Sequence, residues 1–445
     1  MHAALKSGER ERSGWIVVGA TFVTLGMVYG VWYSYSVFFV AFLREFQWSR
    51  SVIAGGYSAL VLIHGIFSPI SGWLAARVGP RRVILAGGWI FGLGLLLTAQ
   101  ITKWWHLYAA FGWVAGIGLS MVGWVPAVVL VRGWFPGRVG TAVGVASAGI
   151  GVGMAGLVPL AQFMIDWIGW RWAFRILAVL ILGWVLPATM FLVRDPVSLE
   201  GTDPRLGTRG PRARLDREAY WTLATAVRDL HYWGLAGVFF TGNIVTQMLL
   251  VHQVAYLVDH GVSPLAAAVV GGVVGLASIA GKMGWGTLSD RVGREPTYTL
   301  ASLCTVASVG VLVLAGRHPT SWLPFLYAVL IGVGYAVTAP VTPAAASDLF
   351  GGPGFSTIFG TLHTVLTAGG AFGAWLAGQM FDQTGTYTGA LWVALGSAVL
   401  APILMWIVAP RHPHPPPASA NRQGAKNAKD GTCHWGEDAE TPKPR

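Results

Sequence analysis

The sequence predicts an all-α membrane protein: twelve transmembrane helices in two pseudo-symmetric bundles of six. Three observations predict it. The 445 residues are 54% hydrophobic and only 11% charged, where a soluble chain is about 25% charged. Apolar runs long enough to cross a bilayer, about 20 residues each, recur from end to end. One short charged turn occurs twice, at equivalent places in the two halves.

The runs lie at roughly 15–38, 51–75, 83–101, 106–131, 140–165 and 172–193, then 232–258, 264–287, 296–315, 322–347, 356–380 and 387–409. These divide the chain into an N-terminal segment (1–14), a first bundle (15–193), a central loop (194–231), a second bundle (232–409) and a polar tail (410–445). The first run exceeds a signal-peptide core and lacks a small-residue cleavage site, so it reads as a retained span. The central loop is rich in Pro, Gly and Arg, and its end, "YWTLATAVRDLHYW", predicts a short surface helix. The tail opens "PRHPHPPPAS" and reads as disordered; His412 and His414 there read as tail residues, not metal ligands. Cys304 lies in a span and Cys433 in the tail, which leaves neither a disulfide nor a zinc spacing.

The net charge of +11 does not read as a nucleic-acid surface, because the basic residues sit in short loops and at the chain ends. Arg77, Arg81, Arg82, Arg132, Arg138, Arg291 and Arg294 fall on one side, joined by seven arginines between Arg194 and Arg228. The other side holds only Arg44, Arg50, Lys103, Arg171, Arg175 and Arg317. The positive-inside rule then puts both termini in the cytoplasm of a cell (inner) membrane protein.

The repeated turn is "GWLAARVGPRR" from Gly72 and "GTLSDRVGR" from Gly286. Gly286 follows Gly72, and Gly293 follows Gly79, by the same 214 residues. Two six-span halves with one shared turn form a parallel repeat, the pattern of transporters that rock about a central site. The turn resembles the major facilitator superfamily signature G-x-L-x-D-R-x-G-R-R, over a chain matching from Gly14 to about Pro410. The resemblance implies a gating role for Gly72, Arg77, Gly79 and Arg81 and for Gly286, Asp290, Arg291, Gly293 and Arg294. Ala76 stands where the family has its latch aspartate, whereas the second copy keeps Asp290.

"RGWFPGRVGTAVGVASAGIGVG" from Arg132, "VHQVAYLVDHGVS" from Val251, "SDLFGG" from Ser347 and "FDQTGTY" from Phe381 narrow the resemblance. They are similar to the monocarboxylate porter and oxalate/formate antiporter group. Gly140, Gly144, Ser147 and Gly151 share one helical face suited to close helix packing.

No carboxylate lies near mid-depth of a span; Asp166, Asp259, Asp290, Asp348 and Asp382 are all at ends. Lys282 is the basic residue within a span. Burying a lysine at a helix centre costs about 2.5–3.5 kcal/mol on insertion scales. It either snorkels to the interface, about 12 Å away past eight residues, or faces a cavity. Gly271, Gly275, Ser278, Lys282 and Gly286 fall on one small-residue face, which favours the cavity. The resemblance implies a substrate-binding cation at this point of span eight. It also implies an aspartate one turn earlier, where this chain has Ser278. An unpaired cation suits a carboxylate, which supplies the counter-charge.

Tyr29 and Tyr33, one turn apart, and Gln253 are further substrate-binding candidates. The resemblance adds Tyr335, at a position where the porters place a substrate-contacting aromatic. His252 and His363 are candidates for carrying a proton, since imidazole titrates near neutral pH; packing roles are the alternative for both, and His64 reads as packing. Gln247 and Asn243 extend a polar stripe along span seven.

The expected function is secondary transport of a small organic anion: a monocarboxylate such as lactate or pyruvate, or oxalate/formate, with a proton or by exchange. The alternatives are an exporter of drugs or cations, and a membrane sensor that does not transport. No P-loop, H-E-x-x-H or G-x-S-x-G motif occurs in the spans, so neither an ATPase nor an enzyme is expected. Nor is a cofactor, metal or nucleic-acid partner; the lipid bilayer and the anion are the partners, and the monomer is the expected working unit.

Overall fold

In a computed structural model, residues 2–135, 139–195, 221–318, 322–352 and 354–408 are described. They form twelve helical rods, one on each apolar run. In chain order these are α1 (Arg12–Phe46), α2 (Arg50–Val78), α3 (Pro80–Thr98), α4 (Trp104–Trp134), α5 (Val139–Ile168) and α6 (Trp170–Leu192). The second half holds α7 (Leu230–Asp259), α8 (Pro264–Val292), α9 (Arg294–Arg317), α10 (Leu323–Phe350), α11 (Phe355–Thr384) and α12 (Thr388–Val408). Eleven are long and apolar enough to cross a membrane by length and composition alone. The other, α11, has 30 residues with Gly, Thr and His interspersed among its apolar ones. The expected surface helix is a single turn, Leu223–Ala226, capped by Thr222. The tail and most of the central loop lie outside the described residues.

Packing repeats between the halves. α1 packs on α5 as α7 packs on α11; α2 on α4 as α8 on α10; α3 on α6 as α9 on α12. The two glycine turns repeat as well. Gly79 joins α2 to α3 with φ of 93°, and Gly293 joins α8 to α9 with φ of 101°. Each is a one-residue reversal in the left-handed region, where a Cβ would be strained. The face carrying these turns is called here the motif side and the opposite face the far side.

Broken helices also recur. α4 is interrupted at Gly123 and α10 at a 3₁₀ turn, Ala336–Thr338, the same position in each repeat. α1 breaks at Ser34, and a π-helical turn runs from Tyr108 to Ala115 in α4. Discontinuous helices at matching places in two halves mark the site about which such folds work.

The halves meet along two seams, α2 on α11 and α5 on α8. The tightest glycine packing lies inside the first half, however. A Cβ on Gly153 would lie 1.8 Å from the Gly26 carbonyl oxygen, and one on Gly149 2.0 Å from that of Phe22. The face expected to pack closely does so at Gly151, against Gly275 and Ile279 of α8. Gly144 on that face meets nothing within 4 Å.

Candidate functional site

On the far side the halves are bolted together around Arg50, at the start of α2. Its guanidinium pairs with Asp259 at 2.8 Å and donates to the Tyr387 hydroxyl at 2.6 Å. It lies 3.7 Å over the Phe381 ring. The backbone N–H groups of Arg50 and Ser51 each donate to one oxygen of Asp382, both at 2.8 Å. A carboxylate from one half thus caps a helix N-terminus of the other, where the helix dipole favours negative charge. His252 belongs to this assembly. Its Nε2 donates to the Ala374 carbonyl at 2.8 Å, so its Nδ1 accepts from Tyr387 at 3.0 Å when the ring is neutral.

Towards the motif side the α5–α8 seam loosens. Helical register follows the α5–α8 seam: Gly151 packs on Gly275, and two turns on, Gly144 stands opposite Lys282. A Cβ on Gly144 would find open space, so the gap begins at the level of Lys282. Lys282 is half-buried, and none of its three donors has a hydrogen-bond or ion-pair partner among the described residues. The small-residue face divides: Gly271 and Gly275 meet α5 of the other half, whereas Ser278 faces Tyr335 and Gly286 lies beside Pro340, both of its own half.

Around the broken helices sits an aromatic cluster. Tyr29 accepts from the Trp124 N–H, at the restart of α4 after Gly123, and stacks on Trp32. Tyr335 directly precedes the α10 break, and its hydroxyl faces Tyr33 of the other half and Ser278, one turn from Lys282. Trp32 Nε1 donates to the Tyr57 hydroxyl, which donates in turn to Gln247 Oε1 at 2.7 Å. That relay runs α1–α2–α7 and ties the halves at mid-depth. Tyr57 is only 1% exposed.

The structure therefore brings Tyr29, Tyr33, Tyr335 and the Lys282 turn to one region. Gln253 lies apart from it: its amide donates to the Leu250 carbonyl at 3.3 Å, and its Oε1 is buried without a partner. Gln247, from the same polar stripe, occupies the cluster instead. Tyr57 and Trp32 were not among the site candidates read from the sequence, and His64 was weighed as a titrating group and read as packing; a further signal was that Tyr57 and His64, seven residues apart, share a face of α2. His363 lies on α11 with its ring 6.3 Å from His64.

The motif turns hold their own halves. Arg294 bonds Asp290 at 2.7 Å and Asp348 at 2.9 Å, all within the second half. Arg291 is exposed. In the first half, where Ala76 replaces the aspartate, Arg81 grips the Thr189 and Met190 carbonyls and its N–H donates to Asp195. Arg77 lies over the Trp73 ring, and Gly72 abuts Val125. Arg138 is outside the described residues.

The Major Facilitator Superfamily model matches residues 21–323 and 257–437. Monocarboxylate transporter 13 of Bos taurus is 31% identical over 392 residues, 87% of each chain. The Rattus norvegicus protein of that name is 30% identical over 388 residues, again 87% of each. Monocarboxylate transporter 2 of Homo sapiens is 25% identical over 402 residues, 87% of this chain and 83% of that one. Among solved structures, a D-xylose-proton symporter superposes with a TM-score of 0.68 at 15% identity, covering 88% of this chain and 97% of the symporter, which supports the fold. The chain is thus a multi-pass membrane protein and not an enzyme: it belongs to the Major Facilitator Superfamily, as a secondary transporter of the monocarboxylate transporter family.

Proposed function

We propose that the protein carries a small organic anion, a monocarboxylate such as lactate or pyruvate, or oxalate/formate, by alternating access, either with a proton or by exchange. The observation that carries this reading is the unpartnered Lys282 at the opening between the halves, with every described carboxylate near a helix end. A half-buried cation without a counter-ion inside a membrane span is unfavourable until an anion arrives, so the substrate carboxylate completes the site. Tyr33 and Tyr335, one from each half, offer hydroxyls to the same anion, and Tyr29 shapes the wall at the α4 break. A cation exporter would need an acid in this region.

In this reading the motif side is cytoplasmic, in the cell (inner) membrane, and the described state is closed outside and open inside. The first and second bundles (15–193 and 232–409) rock as units, the monomer is the working unit, and the Arg50 assembly and the two motif turns are the alternating gates. Gln253, His252 and His363 line the path or the gate, with the two histidines able to take up protons.

The test is counterflow in proteoliposomes loaded with lactate, pyruvate, oxalate or formate. Accumulation of the labelled carboxylate, and none of a labelled lipophilic cation, is expected. Cation counterflow without carboxylate counterflow would overturn the reading.

A further inference from the structure

His64 of α2 and His363 of α11 face each other across the seam between the halves, with ring centroids 6.3 Å apart. His64 is 6% exposed, and its Nδ1 has no hydrogen-bond partner. His363 likewise makes no hydrogen bond or ion pair among the described residues. The neighbouring rings are Trp32 from α1, edge-on to His64 at 5.1 Å, and Phe359 from α11 beside His363. No carboxylate, lysine or arginine of the described residues pairs with either imidazole, and the one titratable group facing each is the other histidine.

Buried polar atoms nearly always have partners, and an exception asks for a use. His252 marks the contrast, because both its nitrogens are engaged in the far-side bolt. The seam beside the pair is tight: a Cβ on Gly65 would lie 1.9 Å from Thr367 Oγ1. Any rocking of the halves must therefore change the surroundings of both rings. The pair also lies at the depth of the site. Lys282 and His363 are about 15 Å and 12 Å from the motif-side ends of their helices, at 1.5 Å per residue.

Resting on the anion reading above, we propose that His64 and His363 together are the proton-carrying site of transport. One proton binds an unpartnered ring nitrogen while the pair faces one solution and leaves it when the pair faces the other. Two imidazolium groups this close repel, so the pair takes one proton at a time. The substrate anion and that proton neutralise each other within one cavity, which makes each bind better in the other's presence. The residue one turn from Lys282 is Ser278, which does not titrate, and the histidine pair supplies the titrating group.

The experiment uses the full chain in proteoliposomes with a trapped pH dye, and labelled lactate and oxalate as probes. Two fluxes are measured for each protein: counterflow at equal pH, and uptake driven by an inward proton gradient. Their ratio does not depend on how much protein inserts. For the parent, gradient-driven uptake should exceed the equal-pH rate at least fivefold, with acidification inside. In the double variant His64→Gln with His363→Gln, counterflow should stay within about threefold while the stimulation falls to one and acidification ceases. If the double variant does not fold, each single variant is read by the same ratio, which should fall at least threefold. Undiminished stimulation in the histidine variants overturns the proposal, as does a parent that exchanges anions with no response to the gradient. A parent without counterflow of either carboxylate overturns the anion reading itself.

Discussion

Replacing Arg50 by Gln should unlock the far side. The arginine makes an ion pair with Asp259 on a half-exposed rim, worth about 1 kcal/mol. Its charged hydrogen bond to Tyr387 contributes about 1.5–3 kcal/mol. Its place over Phe381 adds about 0.5–1 kcal/mol. Gln keeps a neutral hydrogen bond worth about 1 kcal/mol and no longer buries a charge. The far-side-closed state then loses about 2–3 kcal/mol relative to the open one, a population shift of roughly 30- to 150-fold. Asp382 still accepts from the two backbone N–H groups, so the bolt is loosened rather than erased. Spin labels at Gln47 and Gln383, both exposed on the far side of opposite halves, report the change. The background has Cys304 and Cys433 replaced by Ala. A longer interlabel distance should become the main population in Arg50→Gln. A distance distribution matching the parent would refute the assignment of Arg50 as the bolt.

The other gate predicts the opposite sign. Asp290 is mostly exposed and, among the described residues, pairs with Arg294 of its own helix junction, worth about 0.3–0.5 kcal/mol here. Asp290→Asn should therefore leave the described state intact and weaken the far-side-open state, while Ala76→Asp should strengthen that state; the same spin-label pair reads both. Gly153→Ala puts a methyl into the α1–α5 contact and should lower the midpoint of thermal unfolding in detergent, by a destabilisation of about 2 kcal/mol or more. Gly144→Ala, with open space before it, should unfold at the parental temperature or slightly above. His252→Phe leaves the Ala374 carbonyl and Tyr387 with unpaired atoms, a cost of about 1–3 kcal/mol, and should likewise lower that midpoint.

The spans were legible because the bilayer imposes length and apolarity on each of them, and the α11 run was found although its Gly, Thr and His dilute it. The breaks were not. Hydropathy carries no record of whether an amide bonds four or five residues back, so Ser34, the π turn at Tyr108–Ala115 and the interruption at Gly123 passed unseen. The glycine face was read from spacing, yet spacing cannot tell Gly151, which touches α8, from Gly144, which borders a gap. Within the candidate site, Lys282 stood out because charge is rare in a span, Tyr29 and Tyr33 because they lie one turn apart in one span, and Tyr335 through the resemblance. Tyr57 and Trp32 look like core residues in sequence; only tertiary contact with Gln247, some two hundred residues on, gives them a role. The Arg50 bolt was hidden for the same reason. Asp259, Asp382 and Tyr387 read as separate helix ends, and it takes the fold to gather them on one arginine.

If Lys282 anchors the carboxylate, binding to purified Lys282→Gln must show it. Removing an unpaired, half-buried cation from a span relieves an insertion cost, so the variant should fold. A charge-assisted bond contributes about 1.5–3 kcal/mol, and its loss should weaken carboxylate affinity roughly 10- to 150-fold. Lys282→Arg should retain part of the affinity, since the charge remains in a different geometry. A Lys282→Gln affinity within about twofold of the parent, under about 0.5 kcal/mol, would contradict the account and make the lysine a membrane-interface residue.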